Sequence, residues 1–300
     1  MNEEIVRRYE QMFGDEYNKV LASFSRKYVK SIRINTLKIK QDIIAERLKK
    51  KGFVLQKSEF NENSFKVLRE KYSISSTPEY LMGYYFIQDE ISSVPVLELN
   101  PNENELVLDM AASPGGKTTH MAELMKNKGC IVSLEINKDR MESLKANVSR
   151  LGVKNVVALR MDARRADELG LKFDKILLDA PCSGEGMMVR DRKRMDSLNL
   201  EEYNRFSVLQ KELVDTAYKV LKKNGIVVYS TCSMAIEENE SVIQYAIDKG
   251  FKLVKQENMG DEAKTEFLDN KFDKTMNLAK RFYPHKHGTG FFTAKMVKNF

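Results

Sequence analysis

Three cysteines occur in the 300 residues, Cys130, Cys182 and Cys232, and two of them stand where chemistry could be done. Cys182 follows KILLDAP and Cys232 follows IVVYST, short apolar runs of the kind that form buried strands. Parallel strands deliver their C-terminal ends to one rim of a sheet, where α/β proteins bind ligands. A thiol at that rim can serve as a nucleophile in its thiolate form. An odd, sparse set of cysteines without CxxC spacing gives no disulfide framework and no zinc site, so no metal is expected. Cys130 precedes an earlier strand at the opposite rim and reads as structural.

One reaction that needs such an arrangement is methylation of carbon 5 of cytosine, itself a poor nucleophile. A thiolate added at carbon 6 makes the ring an enamine whose carbon 5 attacks a sulfonium methyl group. Asp179, in DAPCSG, is a carboxyl group suited to ring nitrogen 3. The carbon 5 proton must then leave and the thiol must be expelled, a step that a second polar group assists. Two rim cysteines fit these two duties, and the residues alone leave open which one attacks. A paired base cannot be attacked in plane, so it must be flipped out or presented in a loop. The neighbouring chemistry, methylation of an amine, uses Asp-Pro-Pro-aromatic at this strand end, whereas this chain has Asp-Ala-Pro-Cys.

The methyl donor needs a site on the same rim. The first strand of the pattern runs into LDMAASPGGKTTH, a Gly-Gly turn opening a helix, which offers backbone N–H groups to a ligand. A Walker A loop would need glycine five residues before Gly116, where Ala111 stands, and a GxGxxG fingerprint is absent. S-adenosylmethionine remains. Glu135 at the end of the next strand suits the ribose hydroxyls, and Asp162 after the third suits the adenine amino group.

Around these residues the chain has two regimes. From about residue 106, runs at 106–110, 131–136, 156–161, 175–178 and 226–230 alternate with amphipathic helices, notably 138–151 and 201–223. That alternation predicts a doubly wound, mostly parallel α/β sheet, closed by an antiparallel strand at GFFTAKMV. Before it, helices over 3–13 and 16–27, a strand in SIRINTLK, a helix over 41–51 and strands near 53–56 and 64–68 predict a small α+β domain. The expected boundary lies near residue 80, giving a 1–80 domain and an 81–300 domain. The formal charge of +7 suits a polyanionic partner, and no apolar run approaches the roughly 18 residues of a membrane span. A cytoplasmic monomer without membrane contact is expected.

The motifs LDMAASPGGKTTHMAELM, DKILLDAPCSGEGMM, VYSTCSMAIEENE and RFYPHKHGTGFFTAK, with SIRINTLK and FIQDEISS before them, resemble the Sun-type, nucleolar-protein-like RNA 5-methylcytosine methyltransferases in order and spacing. The resemblance covers nearly the whole chain and implies a Rossmann-like methyltransferase domain. It implies that Cys232 is the nucleophile and that Cys182 aids product release, although in DNA cytosine methyltransferases the Pro-Cys cysteine attacks. Carried over by position, the cofactor contacts are Ala111, Ala112, Ser113, Pro114, Gly115, Gly116, Lys117, Glu135, Asp162 and Asp179, with Arg140 beside the ribose. The family has Cys-Ala-Ala-Pro where this chain has Ala111-Ala112-Ser113-Pro114; a loop that works through backbone atoms should tolerate that. RNA contacts are expected from Arg33 and Asn35 and from Arg190 and Arg192 in the run after DAPCSG. The substrate is RNA, tRNA favoured and rRNA admitted. The competing class is a non-catalytic RNA-binding or ribosome-assembly protein that retains the fold.

Overall fold

The structure is a computed structural model that describes residues 3–298, without the side chains of residues 196 and 197. Contacts divide the chain into two compact units, Val29–Leu177 and a second made of Met1–Tyr28 with Leu178–Phe300. This division does not fall at residue 80. A change in sequence pattern marks where element types change, whereas contacts mark what packs together.

Two helices open the chain, α1 (Glu3–Phe13) and α2 (Tyr17–Ser23), and belong to the second unit. Gly14, at φ +50, separates them with a 3-10 turn, and α2 stops at Ser23, four residues before the predicted end. Within Val29–Leu177, β1 (Ser31–Ile34), α3 (Gln41–Lys50), β2 (Val54–Lys57), β3 (Ser64–Arg69) and β4 (Tyr85–Ile87) form an antiparallel sheet in the order β2-β3-β1-β4 with one helix. Ile32, Ile34, Ile44, Leu48, Phe65 and Tyr85 make its core. Every residue of β1 is buried, which accounts for a segment that lacks the alternation of a half-exposed strand.

The same unit continues through β5 (Leu106–Asp109), α4 (Gly116–Leu124), β6 (Cys130–Leu134), α5 (Lys138–Leu151), β7 (Val156–Leu159) and all but the last two residues of β8 (Phe173–Asp179). β5 pairs in parallel with both β6 and β8, and β6 with β7. The order β8-β5-β6-β7 therefore reverses direction at β5, the topological switch of a doubly wound sheet. The predicted fold class is observed. β5, β6 and β7 end one or two residues before the apolar runs, whereas β8 extends beyond its run at both ends; β7 stops at Leu159 and Asp162 caps a 3-10 turn instead.

In the second unit, α6 (Leu200–Val220) leads directly into β9 (Leu221–Thr231), followed by α7 (Glu240–Asp248), β10 (Phe251–Leu253), β11 (Lys280–Phe282) and β12 (Phe291–Lys298). β12 pairs antiparallel with β9, β10 and β11, so GFFTAKMV forms the expected closing strand. The core joins Ile5, Tyr9, Phe13, Val20 and Phe24 to Met188, Tyr203, Met234 and Ile236. No helix among the described residues is long and apolar enough to cross a membrane.

Arg33 is fully buried in β1. Its guanidinium donates to Glu123 Oε2 at 2.5 Å, Thr119 Oγ1 at 2.9 Å and the Gly116 carbonyl at 3.2 Å. Burial pushes the Glu123 carboxyl up and the Arg33 guanidinium down, the direction in which loss of water moves each. Removing one partner leaves an uncompensated buried charge. Glu123→Ala should therefore lower the unfolding free energy by about 3–5 kcal/mol, measured by urea denaturation; a loss near that of an exposed ion pair would contradict this reading.

Candidate active site

β8 ends in Asp179 and β9 ends in Thr231, and the segments that follow them carry the two cysteines. Ala180 N donates to the Ser230 carbonyl at 2.8 Å, and Ser230 Oγ donates to Asp179 Oδ1 at 2.7 Å, which fixes the carboxylate at the strand end. Cys182 Sγ and Cys232 Sγ lie 3.2 Å apart, both partly buried and both free thiols. A disulfide would bring them to about 2.05 Å, so this is a hydrogen-bonded pair. The hydrogen bond to Cys232 pushes the Cys182 thiol up, followed by burial and the charges of Cys232 and Glu238, against a backbone contact at Gly184. Either sulfur can be the donor in this contact, and the shift favours the protonated form of Cys182.

Under this pair lies a set of buried carboxylates that sequence reasoning left without a role. Glu238 Oε1 accepts from Ser183 Oγ at 2.5 Å and Ser233 Oγ at 2.7 Å; Oε2 accepts from Ser183 N at 3.0 Å and Gln210 Nε2 at 3.1 Å. Glu185 accepts from the Tyr9 hydroxyl, from the Tyr203 hydroxyl at 3.0 Å and from Met234 N at 3.0 Å. Glu240 holds Arg281, whose Nε lies 2.6 Å from Oε1 and whose Nη1 donates to the Met234 carbonyl at 2.8 Å. A run such as EENE usually reads as a solvated surface, yet Glu238, Asn239 and Glu240 are all fully buried. The one available signal was its place directly after a cysteine-bearing strand end.

Backbone approach closes the same region. Gly186 N donates to the Cys232 carbonyl at 2.8 Å, and Gly290 N donates to the Gly186 carbonyl at 2.9 Å. A Cβ on Gly186 would meet Gly290 O at 2.1 Å, so only glycine lets the two segments meet.

Within Val29–Leu177, the predicted donor loop leaves β5 at Asp109 and turns at Gly115, whose φ of +101 favours glycine. A Cβ on Gly116 would meet Phe86 Cε1 at 2.9 Å. Ala112 N donates to the Leu134 carbonyl at 3.0 Å, and Asn147 Nδ2 to the Pro114 carbonyl at 2.9 Å. Ser113 Oγ is spent on the Arg140 carbonyl at 2.8 Å rather than offered outward. Helix α4 starts without a side-chain cap, the condition under which opening amides can take a ligand. Lys117 stands in its first turn and is partly buried. Glu135 is buried just past β6; Oε1 accepts from Asn137 N at 2.9 Å and Oε2 lies 3.2 Å from Arg140 Nε. Asp162 is held by Arg164, with Nη2 2.6 Å from Oδ2, which keeps its carboxyl low. These residues fit a polar, diol-bearing ligand with an anionic or carboxylate end.

Of the four candidate RNA contacts, two point inward. Arg33 is spent on Glu123, and Asn35 donates through Nδ2 to the Gly83 and Leu151 carbonyls, both at 2.8 Å. They are internal braces, which corrects the expectation that they face RNA. A buried strand of polar and apolar residues looks like an exposed one when its partners are distant in sequence. Arg190 and Arg192 are exposed; Arg190 lies over Tyr28 at 5.9 Å, and Arg192 Nε donates to the Phe24 carbonyl at 3.0 Å.

Burial pushes the Glu238 carboxyl up to about 7, against hydrogen bonds from Ser183 and Ser233 and with the charge of Glu185 adding to the rise. Unfolded, it would ionise near its ordinary value of 4.5. Stability from this group is therefore full below about 4.5 and is lost as pH rises to about 7, a gap worth roughly 3 kcal/mol. Glu238→Gln is neutral throughout. The stability of this variant relative to the parent should grow by roughly 3 kcal/mol from pH 4.5 to pH 8 in urea unfolding. A difference that stays constant with pH would show that the group does not titrate in this range.

Comparison with known proteins then supplies the lineage. Residues 96–297 match the family described as 16S rRNA methyltransferase RsmB/F, and residues 1–90 match the N-terminal domain of 16S rRNA methyltransferase RsmF. A 25S rRNA (cytosine-C(5))-methyltransferase of Schizosaccharomyces pombe is 39% identical over 278 residues, covering 89% of this chain and 46% of that protein. A tRNA (cytosine(72)-C(5))-methyltransferase of Pyrococcus horikoshii is 41% identical over 227 residues, covering 75% and 55%. The chain thus spans about half the length of these two curated relatives. A solved methyltransferase homolog from Pyrococcus horikoshii superposes with a TM-score of 0.92 at 37% identity, covering 99% of this chain and 95% of that one. The chain belongs to the RsmB/F methyltransferase family, the Sun-type group that its motifs resemble.

Proposed function

We propose that the protein transfers a methyl group from S-adenosylmethionine to carbon 5 of a cytosine in RNA. The observation that carries this reading is the 3.2 Å contact between the Cys182 and Cys232 sulfurs. The relatives' names support it, since they are RNA cytosine-C(5) methyltransferases of both rRNA and tRNA. Residues 111–117, Glu135 and Asp162 would hold the donor, with Arg140 tying Glu135 to the loop.

The Cys232 thiolate bonds to carbon 6, and the electron pair of the 5,6 double bond moves to carbon 5. Asp179, anchored by Ser230, meets ring nitrogen 3, gives it a proton as the charge develops and takes that proton back when the adduct collapses. S-adenosylmethionine, when bound, would supply the electrophilic methyl group to carbon 5, the sulfonium–methyl bond breaking with its pair kept by the thioether product. Loss of the carbon 5 proton, finally to solvent, returns the carbon 6–sulfur pair to Cys232. The Cys182 thiol, hydrogen-bonded to that sulfur, stabilises the departing thiolate. Arg190 and Arg192, exposed after the catalytic loop, meet RNA phosphates. Residues 1–80 serve as the segment that positions RNA.

Transfer from labelled S-adenosylmethionine to total RNA tests the reading. Cys232→Ala should lower transfer by roughly a thousandfold or more, while Cys182→Ala should let a covalent RNA–protein adduct accumulate on denaturing gels. Adducts that need Cys182 and survive loss of Cys232 would reverse the two roles. Absence of transfer to any RNA would favour the non-catalytic RNA-binding alternative. Bisulfite sequencing of tRNA and rRNA, with and without the gene, identifies the class of substrate.

A further inference from the structure

We propose that Glu238 is a positioning residue that ties the Cys182 segment to the Cys232 segment and so sets the approach of the two sulfurs. The residues flanking each cysteine are the ones held. Ser183, next to Cys182, gives Glu238 both its hydroxyl, at 2.5 Å, and its backbone N–H, at 3.0 Å. Pro181, on the other side of Cys182, accepts from Gln210 Nε2 at 2.8 Å, and the same amide reaches Glu238 Oε2 at 3.1 Å. Ser233, next to Cys232, donates its hydroxyl to Glu238 Oε1 at 2.7 Å.

The neighbouring residue completes the grip on Cys232. Thr231 Oγ1 donates to Asn239 Oδ1 at 2.7 Å, and Asn239 Nδ2 donates to the Ser233 carbonyl at 3.0 Å. Tyr229 anchors the brace itself, its hydroxyl donating to the Glu238 carbonyl at 2.6 Å. Glu238 is fully buried, so it acts through the residues it holds.

A carboxylate suits this duty because it accepts on both oxygens at once. Its four donors come from both cysteine segments and from α6, and no neutral aliphatic side chain could collect them. Burial opposes the charge, so its presence here marks a requirement of arrangement rather than of stability. Glutamine of the same shape can substitute: its oxygen takes the two N–H donors and its amide donates to the two serine hydroxyls, which can accept.

The inference rests on the proposed reaction only for its meaning in catalysis, because the spacing of the sulfurs can be read without RNA or methyl donor. A trivalent arsenical such as phenylarsine oxide binds tightly only where two thiols bridge it, and its capture by the full chain is followed by mass spectrometry. Glu238→Ala, shown folded by circular dichroism, should lose capture by about tenfold or more, and Glu238→Gln should restore it to within about threefold. In the transfer assay the same alanine variant should lower kcat more than it changes KM. A folded alanine variant that captures the arsenical as the parent does overturns the proposal. If alanine prevents folding, the Ser183→Ala, Ser233→Ala double variant takes its place; it removes two arms of the brace and should weaken capture, and parental capture there overturns the proposal equally. Loss of capture with no methyl transfer by the parent leaves the brace standing and sinks the reaction; the converse result does the opposite.

Discussion

A carboxylate removed from water must be saturated with donors, and the second unit of this protein is organised by three that are. Glu185, Glu238 and Glu240 are fully buried, or nearly so, and each collects donors from segments far apart in sequence. Hydrophobic packing between the same segments would be non-directional and would allow small slippage. Hydrogen bonds to a charged oxygen fix both distance and angle. The segments 181–186 and 231–235 have almost no regular structure of their own, so these carboxylates supply the order that a helix or strand would otherwise give.

The charges are not indifferent to the thiols above them. Glu238 raises the Cys182 thiol, and so does the Cys232 sulfur itself. Two sulfurs 3.2 Å apart cannot both ionise without strong repulsion, so ionisation of one opposes ionisation of the other. The charge of Glu238, where it is ionised, opposes loss of the Cys182 proton. Such an arrangement suits a cycle in which one sulfur bonds to carbon and the other must be present as a thiol when that bond breaks.

The sequence was most legible where periodicity and chemistry coincided. Helix 138–151 and helix 3–13 fell on their predicted bounds because apolar spacing and charged flanks agree there. The two rim cysteines and Asp179 were readable because a strand followed by a small-residue turn is a local signal. Arg33 and Asn35 were misplaced because their partners, Glu123, Gly83 and Leu151, lie 48 to 116 residues away. Glu238 was unreadable for the same reason, made worse by its setting in an acidic run. A charge reads as surface until a non-local cage is known. The compact units escaped for a related cause: helices α1 and α2 look like part of the small domain that follows them, yet their apolar faces pack with Met188, Tyr203 and Met234.

Arg33 also changes how the small sheet should be understood. Its guanidinium reaches the Gly116 carbonyl and the Thr119 hydroxyl, both in the first turn of α4, while Phe86 of β4 packs where any side chain on Gly116 would fall. The Gly115–Gly116 turn that follows β5 is therefore held by β1 and β4. A loop of Ala, Ser, Pro and Gly has little side-chain surface with which to hold itself. The shape of the turn is therefore imposed largely by residues outside it.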